Sequence, residues 1–315
     1  MKLSIILPVY NSENYIVESI NSYTKQGSPD VELIVIDDGS TDNSYRLILE
    51  NFRNEISIGL IKLYKQDNSG VSVARNKGIT LSKGKYVTFF DSDDLLLDGY
   101  VENIMVSIDT HEPDIIEFGF RKFSSSINLD NGEDIFVHNK IGMNSSDDIS
   151  SYIYSKSMWY PWCRVFKSNL LLDKEHFFPP GVRFCEDMMA IYKVYLNNRK
   201  IYSIRKSLYG YRTNPQGATL NIKEDYYDNL LNFYYSIKDI DNKNIDYMLI
   251  NLSYLLYRCS MGKQLPIMVR LKFKCLFFKC LSKRNISYRK KIILLSPRVY
   301  EYLRWLKGVK NENNV

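Results

Sequence analysis

The sequence predicts an α/β fold with a mostly parallel sheet flanked by helices, followed by a C-terminal helical region. Three observations predict it. Apolar runs of strand length alternate with segments of helical period through the first 125 residues. Each of the first four strand candidates ends in a polar cluster. From about Glu224 the pattern is helical to the end.

Leu3–Val9 is almost continuously apolar, as a strand covered on both faces requires. Ser12 to Gln26 puts Tyr15, Ile16, Ile20 and Tyr23 at helical spacing, with Asn11 or Ser12 as the cap. Val31–Ile36 is the second strand. "GSTDNS" caps a helix from about Asn43 to Phe52, and Ile56–Tyr64 reads as the third strand. A helix from about Val71 to Ser82 closes at Gly84. "KYVTFF" is the fourth strand. Helix Tyr100–Thr110 and strand Asp114–Phe123 follow. Ser124–Ser146 is a loop or small hairpin, and Asp147–Ser155 is helical. Trp159–Asp173 is aromatic and partly helical, Glu186–Asn197 a helix, and "KIYSIRKSLYGYR" a strand.

At 315 residues, with 45% hydrophobic and 25% charged residues, the chain has the balance of a soluble globular protein. The five cysteines form no C-x-x-C pair, which excludes a disulfide framework or thiolate zinc site and fits a reducing cytosol. The N-terminal apolar run is too short for a signal segment, and no stretch approaches the ~18 residues of a membrane span. A cytoplasmic protein is expected, peripheral to a membrane if it meets one. The net charge of +6 is uneven. From Arg258 to Lys310, fifteen Lys or Arg face one acid, Glu301, so this tail carries +14 and the rest −8. Such asymmetry points to an anionic partner for the tail.

Ligands of open parallel α/β sheets bind beyond the carboxyl ends of the strands. Here those ends read Pro8-Val9-Tyr10-Asn11, Asp37 through Asp42, Asp67 through Gly70, and Asp91-Ser92-Asp93-Asp94. Any one cluster could be a helix cap. Four on one edge imply a shared polar crevice, and gathered carboxylates need a cationic partner. Magnesium or manganese, held by one or two carboxylates plus substrate phosphates, is the natural one. Metal-dependent chemistry on a phosphorylated substrate follows, with a cleft for a cationic ligand as the alternative.

"SIILPVYN", "LIVIDDGSTDNS", "NSGVSVARNKGI", "FFDSDD" and "CED" also occur in the order seen in bacterial family 2 glycosyltransferases of the GT-A fold. The chain resembles that family over about residues 1–215. The resemblance implies a GT-A catalytic domain over 1–220, with a nucleotide-sugar half (1–98) and an acceptor half (99–220), before a basic helical region at 221–315. It implies that Pro8, Tyr10 and Asn11 lie along the nucleotide base and that Asp38 bonds the uracil, with Asp37 structural. Asn68, Gly70 and Arg75 lie beside the nucleotide. Arg75 reaches phosphate, or else forms a buried salt bridge to Asp37 or Asp91. In the D-x-D element Asp91-Ser92-Asp93, Asp93 is the metal ligand. Asp91 contacts ribose or a water on the metal, and Asp94 caps the next turn, with metal binding as its alternative. Asp187 is the general base, with Glu186 supporting it or binding acceptor, so the sugar is transferred with inversion.

Two departures stand out. Trp162-Cys163-Arg164 replaces the usual Trp-Asn-Lys, and the loop from Tyr211 and Arg212 to Ala218-Thr219 matches only loosely. Trp159 and Trp162 are candidates for stacking on an acceptor sugar, with core packing the alternative for one of them. The implied partners are Mn2+ or Mg2+, a UDP-sugar and a glycan acceptor on a lipid; a homodimer is left open. The tail, with Val269, Phe273, Leu276, Phe277 and Cys280 on one helical face, fits an anionic membrane surface or packing on the catalytic domain, and Val269–Leu276 also alternates like a strand. Nucleic acid is not expected, because no recognised module accompanies the charge. A sugar-1-phosphate nucleotidyltransferase would need a Gly-rich N-terminal loop that "ILPVYNSENY" lacks. A degenerate transferase serving as a binding or scaffold subunit is the non-enzyme alternative.

Overall fold

In the computed structural model, Leu3–Val9 forms β1 and is buried along its whole length, because it lies inside the sheet. The structure describes residues 1–124, 129, 132–171, 173, 175–213, 223–242, 244–260, 264–280, 287–296 and 299. After β1 come α1 (Ile16–Thr24), β2 (Val31–Asp37), α2 (Ser44–Asn51), α3 (Arg53–Ser57), β3 (Ile61–Lys65), α4 (Val71–Leu81) and β4 (Tyr86–Phe89). β5 (Leu95–Leu96), α5 (Tyr100–His111), β6 (Ile115–Phe123), β7 (Asp134–Ile135), β8 (Gly142–Ser145) and α6 (Ser146–Lys156) follow. Then come β9 (Arg164–Lys167), α7 (Glu186–Ile191), β10 (Lys200–Arg212), α8 (Glu224–Ile237), α9 (Ile245–Cys259), α10 (Ile267–Cys280) and α11 (Tyr288–Leu295).

The chain divides into two units. Met1–Ile149 with Trp159–Pro215 is one; Ser150–Met158 with Gln216–Val315 is the other. The first holds a sheet in the order β3-β2-β1-β4-β9-β6-β10-β5, with β7 paired to β6 and β8 to β10. β1, β2, β3 and β4 run parallel, so their carboxyl ends share one edge. β9 lies antiparallel between β4 and β6 and joins the parallel half to the rest. Where Arg164 of β9 faces Glu117 of β6, the two are buried as an ion pair at 3.0 Å. Burial pushes Glu117 up, but Arg164 and His138 more than offset it, so it stays charged.

Several expected elements differ. α1 begins at Ile16, and neither Asn11 nor Ser12 caps it with a side chain. The Ser12 hydroxyl is engaged by Ser92 at 2.6 Å, and the Asn11 amide oxygen accepts from Thr41 N at 2.8 Å. Ile56–Tyr64 splits into the end of α3, a turn at Gly59 (φ 77°) and β3, because a positive φ interrupts the extended run. The 159–173 stretch contains β9 between two 3-10 turns, its apolar residues filling the gap between β4 and β6. The helix expected over Glu186–Asn197 tightens to a 3-10 turn after Ile191. α4 ends at Ser82 without help from Gly84. Gly84 is instead needed for close approach: a Cβ there would lie 2.6 Å from Ser4 N and from Tyr86 O.

In the second unit, Asn251 Nδ2 of α9 donates to Tyr154 O at 2.6 Å, and Lys290 Nζ of α11 donates to Ser155 O at 2.8 Å. The 269–276 alternation forms a helix, α10. Val269, Phe273, Leu276 and Cys280 are its buried stripe, and Phe277 is only half-buried at its margin. Among the described residues no helix is long and apolar enough to cross a membrane.

Gly84→Ala should destabilise the first unit by about 1–3 kcal/mol, since the added methyl meets backbone that cannot move aside. Urea denaturation measures this, and an unchanged midpoint would show that the β1–β4 edge has slack.

Candidate active site

The first three strand ends are stitched together by hydrogen bonds. Asp38, buried at the end of β2, accepts from Gln66 Nε2 at 2.7 Å, Ser69 N at 2.9 Å and Gly70 N at 2.8 Å. It therefore fixes the loop after β3. Gly39 (φ 70°) passes so close to that loop that a Cβ would lie 2.7 Å from Asn68 N. Asn11, in a left-handed conformation (φ 49°), holds the turn at Thr41. Pro8 is buried inside β1, whereas Tyr10 is 50% exposed and Asn68 is exposed. Both carboxylate oxygens of Asp37 are buried with no hydrogen-bond partner among the described residues.

The turn after β4 carries Asp91, Ser92, Asp93 and Asp94. Ser19 Oγ of α1 donates to Ser92 O at 2.9 Å and to Asp94 O at 2.7 Å. Asp94 does not act as a side-chain cap. It is buried, accepting from Tyr209 Oη at 2.7 Å and from Arg212 N at 2.7 Å. Tyr209 Oη also accepts from Asp91 N at 3.1 Å. Arg212 Nε donates to Asp93 O at 2.6 Å, and its Nη2 pairs with Glu18 at 2.7 Å. The acid turn is thus held by the end of β10.

Arg75, one turn into α4, brings the two acidic motifs together. Its Nη2 lies 3.0 Å from Asp91 Oδ1 and its Nη1 2.8 Å from Asp187 Oδ1, with Glu186 Oε1 at 3.9 Å. Its guanidinium lies over the Phe178 ring, 5.2 Å from the centroid. This is the ion-pair alternative to phosphate contact, made to Asp91 rather than Asp37 and joined by Asp187. One cation serves three carboxylates, so the site is short of positive charge. Burial pushes Asp187 up; Arg75 opposes this, Glu186 and Asp91 add to it, and the carboxyl stands at about 8. Burial and then Asp91 push Asp93 up to about 6. Burial, Asp93 and Asp91 also raise Asp94.

Among the described residues no three Asp, Glu, His or Cys side chains converge as a ready metal cage. The donor set still fits a hard divalent cation, which takes one or two carboxylates and completes its shell with phosphate and water. Asp91 raises the cost of ionising Asp93, and a cation there relieves it.

An aromatic wall completes the region. Trp162 stacks on Tyr160 (4.9 Å between centroids), Tyr209 (4.6 Å) and Tyr211 (5.4 Å). Trp162 itself is buried, so it backs the wall, and Tyr160 presents the exposed face. Cys163 and Arg164 point into the core: Arg164 Nε donates to Tyr195 Oη at 2.6 Å as well as to Glu117. Tyr209, Glu18 and Ser19 escaped the sequence reading. The period-2 pattern of "YGYR" was the signal that Tyr209 and Tyr211 share a face; nothing local marks Glu18. The loop residues Ala218 and Thr219 lie outside the described residues.

The sequence model of glycosyl transferase family 2 matches residues 4–194. The chain belongs to that family. Among relatives of this family 2 chain, Staphylococcus aureus (strain MW2) TarS, a poly(ribitol-phosphate) beta-N-acetylglucosaminyltransferase, is 28% identical over 239 residues, 72% of this chain and 39% of TarS. Streptococcus pneumoniae glycosyltransferase GlyA is 32% identical over 223 residues, 67% of this chain and 30% of GlyA. The chain thus matches only about a third of the length of these relatives. In structure it is similar to S. aureus TarS 1–349 in complex with UDP-GlcNAc, with a TM-score of 0.68 at 21% identity over 98% of this chain and 92% of that one. It is also similar to a mannosyltransferase from Pyrobaculum calidifontis in complex with GDP-Man and Mn2+ (TM-score 0.56, 15% identity, 98% and 88% covered). The fold is GT-A.

Between its ordinary 3.8 and about 8, the folded Asp187 keeps a proton that the unfolded chain has released. That favours folding at low pH, and the contribution is lost as pH rises through the folded value. Asp187→Asn, neutral throughout, should gain in Tm relative to the parent between about pH 5 and about pH 8.5. A Tm difference flat across that range would mean Asp187 is not held protonated.

Proposed function

We propose that the chain is an inverting, metal-dependent glycosyltransferase. It moves a sugar from a UDP-sugar to a hydroxyl of a lipid-linked glycan at the inner face of a bacterial membrane, in surface polysaccharide synthesis. The observation that carries this reading is the double ion pair of Arg75, which sets an acid of the D-S-D turn and an acid of the Glu-Asp pair around one guanidinium. TarS complexes with UDP-GlcNAc and with UDP support the donor class, and the mannosyltransferase complex with Mn2+ supports the metal.

In this reading residues 1–98 take the nucleotide. Tyr10 lies against the base, and Asp38 orders the loop bearing Asn68 and Gly70 around it. Ser92 and Asp91 face the ribose. Asp93 would hold a divalent cation with Asp91 beside it, and the bound cation would supply charge neutralisation for the departing diphosphate. In its ionised form, which gains ground as pH rises toward about 8, Asp187 accepts the proton of the acceptor hydroxyl, whose oxygen attacks the anomeric carbon opposite the leaving group, which inverts it. Arg75 favours the ionised form of Asp187 and fixes its direction, and Glu186 supports it. The exposed face of Tyr160 offers a stacking surface for an acceptor sugar. Cys163 and Arg164 sit in the core, so the departure at these positions does not argue for a degenerate binding subunit.

Asp187→Asn should lower transfer by about 100- to 10,000-fold while UDP binding persists. Asp93→Ala should abolish the enhancement of UDP binding by manganese in calorimetry. Normal transfer by Asp187→Asn would place the base elsewhere, and manganese-enhanced binding in Asp93→Ala would remove the metal assignment.

A further inference from the structure

α10 carries apolar residues on two faces, and only one is used for packing. Val269, Phe273, Leu276 and Cys280 are buried. On the other side Ile267 is 63% exposed, Met268 70%, Leu271 49% and Phe278 67%, with Cys275 exposed among them. At 3.6 residues per turn these five positions fall within an arc of about 100°. Bases flank the arc on both sides. Arg270 and Lys274 border it on one edge and Lys272 and Lys279 on the other, and no acid lies in the helix. Among the described residues, Lys279 lies 3.9 Å from Asp246; no other base of α10 has a carboxylate within ion-pair distance. The stripe that the sequence pattern singled out is therefore the one that packs inward.

We infer that the outer stripe of α10 docks on an anionic lipid surface, the helix lying in the plane of the membrane. A continuous exposed apolar patch on a soluble protein marks an interaction site. An apolar arc of this width bordered by Lys and Arg on both edges is the pattern of an interfacial helix: the rings and aliphatic chains enter the acyl boundary while the bases stay at the headgroup level. A protein partner would bury the stripe equally well. The charge decides between them, since four bases and no acid match a surface of phosphodiester headgroups. The inference extends the proposal of a lipid-linked acceptor by naming the surface that brings the enzyme to it, and it is measured without donor or acceptor.

The test is co-sedimentation of the full chain with vesicles of phosphatidylcholine alone and of phosphatidylcholine mixed with phosphatidylglycerol. The chain should bind the anionic vesicles, release as salt rises, and ignore the neutral ones. Leu271→Glu with Phe278→Glu should weaken binding at least tenfold, with circular dichroism reporting whether the helices persist. A second measurement avoids perturbing the fold: an environment-sensitive fluorophore on exposed Cys275 should shift to shorter wavelength on adding anionic vesicles. Absence of binding, or binding with no change at Cys275, overturns the inference. So does a self-associated chain that the double variant turns into a monomer and that ignores vesicles, since a second copy would then cover the stripe.

Discussion

One guanidinium constrains the whole candidate site. Arg75 leaves α4 and is nearly enclosed, yet it reaches an acid from the turn after β4 and another from α7, which is more than a hundred residues further along the chain. A buried arginine without carboxylates is strongly unfavourable, and the half-buried Asp91 and Asp187 gain from a cation between them. Each partner therefore requires the others, and α4, the β4 turn and α7 are held in one arrangement. The sheet makes this possible. β1 and β4 deliver their ends to one edge, and β9, bridging β4 and β6, carries the chain across to the elements that lead to α7.

The same arrangement leaves the site deficient in positive charge. Arg75 neutralises one of three acids around it, and Asp93 and Asp94 are held a few residues away by β10 and α1. Raised carboxyls follow from burial and mutual repulsion. Such a region is tolerated where ligands complete it. In the proposed reaction a divalent cation and a diphosphate complete it on the donor side, and the acceptor proton on the side of Asp187.

Much of this was legible in the sequence, for local reasons. Continuous apolar runs marked β1 and β2, polar clusters marked the strand ends, and the order of short motifs identified the family. What was missed depends on contacts distant in the chain. Asp94 looked like a turn cap because its partners, Tyr209 and the Arg212 amide, lie over a hundred residues away. Gly84 looked like a helix terminator, yet its role is to let α4's exit pass against the backbone of β1 and β4. Arg164 looked like a damaged acceptor motif until its cross-strand neighbour proved to be Glu117. In α10 the sequence showed an apolar face but not which of two faces the unit would bury.

The claim that Arg75 joins the donor and acceptor sides into one site is tested most directly by a crystal structure with UDP and manganese. Arg75 should remain bound to both Asp91 and Asp187, with the ion between Asp93 and the diphosphate. Arg75 turned away from Asp187 onto the diphosphate, with no ion at Asp93, would contradict it.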